Sequence, residues 1–185
     1  MIDYTSFSHG QVHSKLWLCE QIEPLIKSTD RILIHGSWYN TLGFMLNCRK
    51  PKYYQEIRGI DIDNDSILIA DKINNAWVID EPNVFNEVAD ASVYDSSSYD
   101  VIINSSGEHF ADTKWFDNVL EHQLVCIQSV NITEQGAPWF ITQPTPDYES
   151  FMEKYPLKNT VFSGTKRIQY SNGWGYDRYM TIGYK

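Results

Sequence analysis

Two glycines bracket a polar segment that could hold a ligand against the protein backbone. The segment, residues 36–43, follows a short apolar run. Gly36 can form a tight turn and admit a ligand close to the main chain, and Gly43 allows close packing of a helix. Between them, Asn40 is the non-glycine residue that best tolerates a left-handed conformation. The segment predicts a ligand-binding turn, although its glycine spacing differs from the G-x-G-x-x-G fingerprint of dinucleotide-binding domains.

Two acidic residues follow later apolar runs and could hold the sugar and the base of a nucleoside. Asp61 lies 18 positions after Gly43, close to the roughly 20 that separate the glycines from a carboxylate accepting ribose hydroxyls. Asp90, followed by Ala91, could accept a hydrogen bond from an adenine amino group. Open parallel sheets bind ligands at the carboxyl ends of their strands. We therefore expect these residues to line one crevice.

Glu108 and His109 follow a fourth apolar run and could accept a proton from a bound substrate. A histidine titrates near neutral pH, and the pKa of a glutamate can be raised toward it. The same residue types at the start of a helix also serve as capping and orienting groups, so both roles stay open. Trp38 and Trp139, in predicted loops beside the crevice, are candidates for an apolar lid.

Short apolar runs rich in β-branched residues predict the strands that position these groups. They cover residues 31–35, 57–61, 84–88, 101–103 and 124–127. Helical spacing of apolar residues predicts the remaining elements. It covers residues 12–26, 42–46, 67–77, 115–120 and 148–154. Because parallel strands need a crossover, which is usually a helix, this alternation indicates a doubly wound α/β fold with helices on both faces.

The last part of the chain predicts an antiparallel hairpin. Residues 160–170 and 176–184 are extended, aromatic-rich runs, and the Asn172-Gly173 pair between them favours a tight turn. The expected sheet is therefore seven-stranded and mostly parallel. A chain of 185 residues fits a single domain.

Composition restricts the expected partners and compartment. The formal net charge of -9 opposes attraction to nucleic acids and to anionic membranes. The three cysteines form no C-x-x-C pair, which favours a reducing compartment such as the cytoplasm. No apolar run approaches the ~18 residues of a membrane span. His9 and His13 have helical spacing, but a third ligand is missing, so no metal site is predicted.

Four stretches of the sequence resemble the class I, Rossmann-like, S-adenosylmethionine-dependent methyltransferases. They cover residues 32–39, 59–63, 89–91 and 104–109, and the terminal hairpin is similar to that family as well. Trp38 and Asn40 stand where the family commonly has glycines, and Ile34 stands where it often has an acid. The short single-domain chain is also similar to minimal bacteriophage forms of the family.

The resemblance implies S-adenosylmethionine as the cofactor and assigns its parts to individual residues. The Gly36 turn would lie under the methionine part, Asp61 would hold the ribose hydroxyls, and Ile62 would lie against the adenine. Asp90 and Ala91 would flank the adenine amino edge. The full implied cofactor-binding set is Gly36, Ser37, Trp38, Tyr39, Asn40, Gly43, Asp61, Ile62, Asp90, Ala91, Asn104 and Ser105. Residues 1–30 would be a helical segment covering this site, and residues 31–185 the core.

The predicted function is methyl transfer to a small-molecule or protein acceptor. Asn104 would face the methionine amino group or that acceptor, with Glu108 and His109 as its catalytic neighbours. The residues expected to frame the acceptor are Gln11, Lys15 and Trp139. Two alternatives stay open: a domain that binds the cofactor without transferring a methyl group, as a sensor or partner subunit, and a nicotinamide-dependent reductase. The missing dinucleotide fingerprint and the missing Tyr-x-x-x-Lys pair disfavour the reductase.

Overall fold

The computed structural model of the protein describes residues 2–76, 83–132 and 141–185. Its α-helices are His9–Ile22 (α1), Thr41–Arg49 (α2), Asn64–Asn75 (α3), Lys114–Asp117 (α4) and Tyr148–Lys154 (α5). Its strands are Arg31–His35 (β1), Glu56–Asp61 (β2), Val84–Val88 (β3), Val101–Asn104 (β4), Leu124–Val130 (β5), Asn159–Gln169 (β6) and Gly175–Tyr184 (β7). Two short 3₁₀ helices cover Tyr4–Phe7 and Gly107–His109.

The seven strands form one sheet in the order β3-β2-β1-β4-β5-β7-β6. Strands β1 to β5 pair in parallel, whereas β7 runs antiparallel to both β5 and β6. This confirms the predicted mostly parallel sheet with a C-terminal antiparallel hairpin. The direction in which strands are added reverses between β1 and β4. The carboxyl ends of these two strands therefore flank a crevice of the kind that binds ligands in open α/β sheets.

Helices α1, α2 and α3 lie on one face of the sheet. Leu18 of α1 and Leu46 of α2 belong to a single apolar cluster on that face. Asn86 of β3 accepts a hydrogen bond from Asn40, which precedes α2, and donates one to Asp71 of α3. These contacts hold the first three helices in one layer.

Helices α4 and α5 cover the opposite face. Trp115 and Phe116 of α4 pack with Phe151 and Tyr155 of α5 around the buried Ile102 of β4. The prediction of helices on both faces is confirmed. In the described ranges, no helix is long and apolar enough to cross a membrane.

Helix α1 differs from its prediction at both ends. It begins before residue 12 and ends at Ile22, four positions before the predicted end. Pro24 explains the early end, because proline has no backbone N–H to donate to a helical hydrogen bond. Ile26 is buried all the same. Its helical spacing from Ile22 therefore indicated a buried position correctly, although that position lies outside the helix.

The predicted helix at residues 115–120 is reduced to the single turn of α4. The backbone N–H of Leu120 donates to the Gln123 side chain, and the backbone N–H of Gln123 donates back to the Leu120 carbonyl. This reciprocal pair closes a turn that leads directly into β5. Trp77, predicted at the end of α3, lies outside the described residues.

The Asn40 side chain is packed between two glycines. Asn40 has φ +47°, its Oδ1 accepts a hydrogen bond of 3.2 Å from the Gly43 backbone N–H, and its side chain is fully buried. A Cβ added at Gly59 of β2 would lie 2.6 Å from the Asn40 amide carbon, and one added at Gly43 would also collide with that amide. The two glycines therefore leave the space that the Asn40 side chain occupies between α2 and β2.

We predict that Gly59→Ala lowers the free energy of unfolding by about 1–3 kcal/mol, because overpacking displaces a buried, hydrogen-bonded side chain. Denaturant unfolding followed by circular dichroism measures the change. Gly164→Ala on β6 is the matched control, since its Cβ would come no closer than 3.3 Å to a neighbouring atom. Equal unfolding free energies for Gly59→Ala and the unchanged protein would contradict this packing.

Candidate functional site

The turn after β1 is tied to the end of β2 by a hydrogen bond. The backbone N–H of Trp38 donates to Asp61 Oδ2 over 2.8 Å. Gly36 and Trp38 both have left-handed backbone angles, with φ +58° and +51°. For Trp38 this conformation is strained, because its Cβ crowds the following carbonyl. The two sequence features predicted to share a crevice are thus in direct contact.

The end of β3 lies beside the end of β2, the strand that carries Asp61. The backbone N–H of Ala89 donates to the Asp61 carbonyl over 3.0 Å, which places Asp90 next to the end of β2. Asp90 is exposed, and hydrogen bonds from the side chain and backbone N–H of Ser92 lower the pKa of its carboxyl group. Ile62 is 74% exposed, an apolar surface directly after Asp61. Asp61, Ile62 and Asp90 therefore share one open edge of the sheet.

Several residues of the predicted cofactor set face the protein interior instead. The Ser37 hydroxyl points toward Gly59, and the Asn40 side chain fills the space beside it. Tyr39 is buried, and its hydroxyl accepts a hydrogen bond of 3.1 Å from the backbone N–H of Asp3. Ala91 lies in the apolar cluster under α4. These residues shape the crevice and connect it to the N-terminal segment through their packing.

The carboxyl end of β4 carries two buried polar residues. Asn104 Oδ1 accepts a hydrogen bond of 2.9 Å from the Ser106 backbone N–H, which leaves the Asn104 Nδ2 without a partner among the described residues. The Ser105 carbonyl accepts a hydrogen bond from the Arg178 guanidinium. Asn104 thus offers a donor where the cofactor and the acceptor were predicted to meet.

Phe110 lies against the Gly36 turn, a contact that the sequence did not indicate. A Cβ added at Gly36 would lie 2.9 Å from the Phe110 ring. Behind it, His35 is buried edge-on to Trp115, with 5.5 Å between the ring centroids. Burial lowers the pKa of His35 to about 3, so its ring is neutral at physiological pH. The floor of the crevice next to Gly36 is therefore aromatic and uncharged.

Glu108 forms a buried ion pair with Arg178 of β7. Arg178 Nη1 donates to Glu108 Oε1 over 2.7 Å, and the two side chains are only 4% and 5% exposed. His109 is more accessible, with 39% of its side chain exposed and its Nε2 3.9 Å from the same oxygen. Sequence reasoning missed Arg178. Strand alternation could have indicated it, because residue 178 shares the buried face of β7 with Met180 and Ile182.

Lys15 of α1 lies beside this ion pair. Its ammonium donates to Gln11 Oε1 over 2.6 Å. Burial, with a smaller contribution from the charge of Arg178, lowers the pKa of Lys15 to about 7, while the nearby Glu108 raises it. The residues predicted to frame the acceptor thus meet the predicted catalytic residues. Trp139 lies outside the described residues.

A cavity of about 30 Å³ opens at this cluster, between α1 and the C-terminal hairpin. Gln11, Glu108, His109 and Arg178 line its polar side. None of the residues lining it belongs to the turn after β1 or to the end of β2. In the described part of the chain, no three metal-ligating side chains come together.

Several solved structures, among them methyltransferases, superpose on most of this chain. YcgJ from Bacillus subtilis superposes with a TM-score of 0.66 at 12% identity, over 92% of this chain and 96% of that one. Geranyl diphosphate methyltransferase with bound S-adenosylmethionine gives 0.67 at 9%, over 95% and 86% of the two chains. Magnesium protoporphyrin IX methyltransferase from Synechocystis, also with S-adenosylmethionine, gives 0.63 at 9%, over 94% and 78%.

The strand order, the antiparallel β7 and these likenesses define the Rossmann-like fold of the class I methyltransferases. At such identities the likeness concerns the fold. No protein-family model and no curated protein matches the sequence. The similarity to bacteriophage forms finds no support among these structures.

We predict that Lys15→Met raises the free energy of unfolding by about 1–4 kcal/mol at neutral pH, because a buried cation is replaced by an apolar chain. Between about pH 7 and 10.5 the unfolded chain holds a proton on Lys15 that the folded chain has lost. The cost of burying Lys15 is therefore full below pH 7 and vanishes as the pH rises toward 10.5. The increase in unfolding free energy caused by Lys15→Met should therefore shrink between about pH 7 and 10.5.

Urea unfolding at several pH values measures this dependence. Lys72→Met is the control, because Lys72 is an exposed lysine on α3. A gain for Lys15→Met that stays constant from pH 7 to 10.5 would show that the ammonium is not the source of the cost. The charged groups that act on Lys15 are Arg178 and Glu108. The Cys19 thiol beside it stays neutral in this range, because burial raises the pKa of Cys19.

Proposed function

We propose that the protein is an S-adenosylmethionine-dependent methyltransferase that binds its cofactor across the carboxyl ends of β1, β2 and β4. The observation that carries this proposal is the contact between Asp61 and the backbone of the turn after β1. It places a carboxylate within one hydrogen bond of the turn after β1. That turn flanks the crevice between β1 and β4, where the strand order reverses. The neighbours with S-adenosylmethionine bound on the same fold support the choice of cofactor.

The Asp61 carboxylate has the capacity to bind a ribose. Its Oδ2 accepts from Trp38 N–H and its Oδ1 accepts from Asp63 N–H. A carboxylate offers about four lone-pair positions, so two remain for the two ribose hydroxyls. The exposed Ile62 next to it suits the face of an adenine ring. The residues present therefore fit an adenosyl group.

The bound cofactor would supply an electrophilic methyl group: the acceptor forms a bond to its carbon, the carbon–sulfur bond breaks, and the electron pair stays on sulfur. The protein contributes mainly by positioning, since fixing a nucleophile in line supplies much of the rate. Glu108 uses one oxygen to hold Arg178. His109 has solvent access beside it, so it is the better placed group to accept the acceptor's proton and release it to water.

The acceptor we propose is a small molecule. The net charge of -9 disfavours nucleic acid as a substrate. The polar cavity beside Glu108 and His109 is small, which suits a compact group better than an extended polymer.

Replacement of Asp61 by alanine tests the cofactor site. We expect Asp61→Ala to weaken S-adenosylhomocysteine binding by about 1–3 kcal/mol, because the ribose hydroxyls lose a charged acceptor. Isothermal titration calorimetry measures the affinity. Asp65→Ala, an exposed acid in the first turn of α3, is the control and should bind normally. Unchanged affinity of Asp61→Ala would reject this role for the carboxylate.

A second candidate function is cofactor binding without methyl transfer, as a sensor or partner subunit. It is favoured by the altered turn, in which Trp38 and Asn40 adopt left-handed conformations that glycine adopts without strain. The Phe110 ring against Gly36 favours it as well, because it narrows the space for the methionine part. Formation of S-adenosylhomocysteine in the presence of acceptor pools would exclude this function.

The nicotinamide-dependent reductase is tested by thermal denaturation. A rise in melting temperature with NADH but not with S-adenosylhomocysteine would favour the reductase over both other functions.

A further inference from the structure

We propose that the methyl acceptor carries a carboxylate group, which Arg178 binds in the cavity between α1 and the C-terminal hairpin. This inference rests on the proposed methyltransferase function and names the class of its acceptor.

The cluster contains two basic groups and one acid. Arg178 and Glu108 neutralise one another in a buried pair. Lys15 does not line the cavity, but it is buried close enough to both for their charges to act on it. Burial favours the neutral form of Lys15, whereas a bound anion would favour its charged form. A ligand carboxylate would supply that anion.

Two polar atoms of the ion pair have no partner among the described residues. They are the Arg178 Nε and the Glu108 Oε2, both buried in side chains that line the cavity. Buried polar atoms are nearly always hydrogen-bonded, so each such atom indicates a missing group. The guanidinium would donate to a carboxylate, and the free glutamate oxygen would accept from an O–H or N–H of the same ligand.

The cavity has a polar end and an aromatic rim. Its volume of about 30 Å³ corresponds to roughly two water molecules, and a carboxylate is of that size. Beyond it, Tyr170, Trp174 and Tyr176 form a row, with ring centroids 5.2 and 5.5 Å apart. A flat or apolar body would lie against these rings while its carboxylate reaches Arg178.

The position of Arg178 assigns the carboxylate to the acceptor rather than to the methionine part of the cofactor. The sheet order puts β7 three strands from β1, or about 14 Å at the usual strand spacing. The cavity lies at the end of β5 and the start of β7, whereas the Gly36 turn follows β1. A carboxylate of the acceptor and the carboxylate of the methionine part of the cofactor are chemically equivalent at Arg178. Titrations with and without a cofactor carboxylate are therefore needed to tell them apart.

Three probes that share one ring but differ in charge test the inference: phenylacetate, phenylacetamide and 2-phenylethylamine. Their affinities for the full chain are measured by calorimetry with and without saturating S-adenosylhomocysteine. We expect phenylacetate to bind at least about tenfold more tightly than the amide, with the amine weakest, because a carboxylate accepts a charge-assisted hydrogen bond from the unpartnered Arg178 Nε. Preference for the amine, or no preference among the three, would overturn the inference.

Variants then assign the interaction to Arg178. Arg178→Met should abolish the preference for phenylacetate, and Arg178→Lys should restore part of it. Glu108→Gln should strengthen phenylacetate binding by about threefold or more, since it removes the competing negative charge. A variant that is merely misfolded would not gain affinity. Arg167→Met, at an exposed arginine of the same hairpin, is the matched control.

Cofactor titrations separate the two sources of the carboxylate. If Arg178→Met weakens S-adenosylhomocysteine but not 5′-methylthioadenosine, which has no carboxylate, Arg178 holds the cofactor and the inference is overturned. Unchanged affinity for both compounds, together with loss of phenylacetate binding, supports it. If the unchanged protein binds neither adenosyl compound, the proposed function fails, while the probe series without cofactor still decides whether the cavity binds a carboxylate.

Discussion

The buried pair between Glu108 and Arg178 is the interaction on which the candidate site depends. It connects the segment after β4 to β7, which is antiparallel to its neighbour β5. Removing one partner of a buried pair typically costs about 3–5 kcal/mol, because the other charge is left uncompensated. The pair therefore fixes the hairpin relative to the ends of the parallel strands. Helix α1 is held to the hairpin in turn, since Gly10 donates its backbone N–H to the Tyr170 hydroxyl.

The turn after β1 has left-handed backbone angles at two residues that are not glycine. Trp38 and Asn40 both adopt positive φ, at a cost of about 1–2 kcal/mol for an ordinary residue. Each conformation has a compensating contact: the Trp38 N–H bonds to Asp61, and the Asn40 side chain bonds within α2 and to β3. Gly43 and Gly59 leave room for that side chain. Gly43 and Gly59 thus serve the packing of Asn40, whereas glycines at positions 38 and 40 would serve the approach of a ligand.

The sequence was sufficient to predict the sheet because β1 to β5 are short apolar runs and the Asn172-Gly173 pair indicates the terminal hairpin. It was also sufficient to predict that Asp61 meets the turn after β1, because the ends of parallel strands lie at one edge. It was insufficient where a residue acts on another that is distant in the chain. Arg178 meets Glu108 only because β7 pairs with β5 in a register that places residue 178 opposite Val130. Phe110 contacts the Gly36 turn because the chain folds back toward it, and no periodic pattern in the sequence predicts this contact. Local patterns also could not show that Ser37 and Tyr39 face inward.

The polar groups of the site divide along the sheet into two sets. Asp61, Ile62 and Asp90 lie at the ends of β2 and β3, and they suit an uncharged sugar and base. Lys15 and Arg178 lie near the start of β7, where a bound anion would accept from Arg178 and favour the charged form of Lys15. The segment from Asn104 to His109 follows β4, between the two sets in the sheet order. In the proposed methyltransferase, a methyl group would pass across that segment from a cofactor on one side to an acceptor on the other. The buried Asn104 and the accessible His109 therefore lie where the transfer would occur, and His109 lines the same cavity as Arg178.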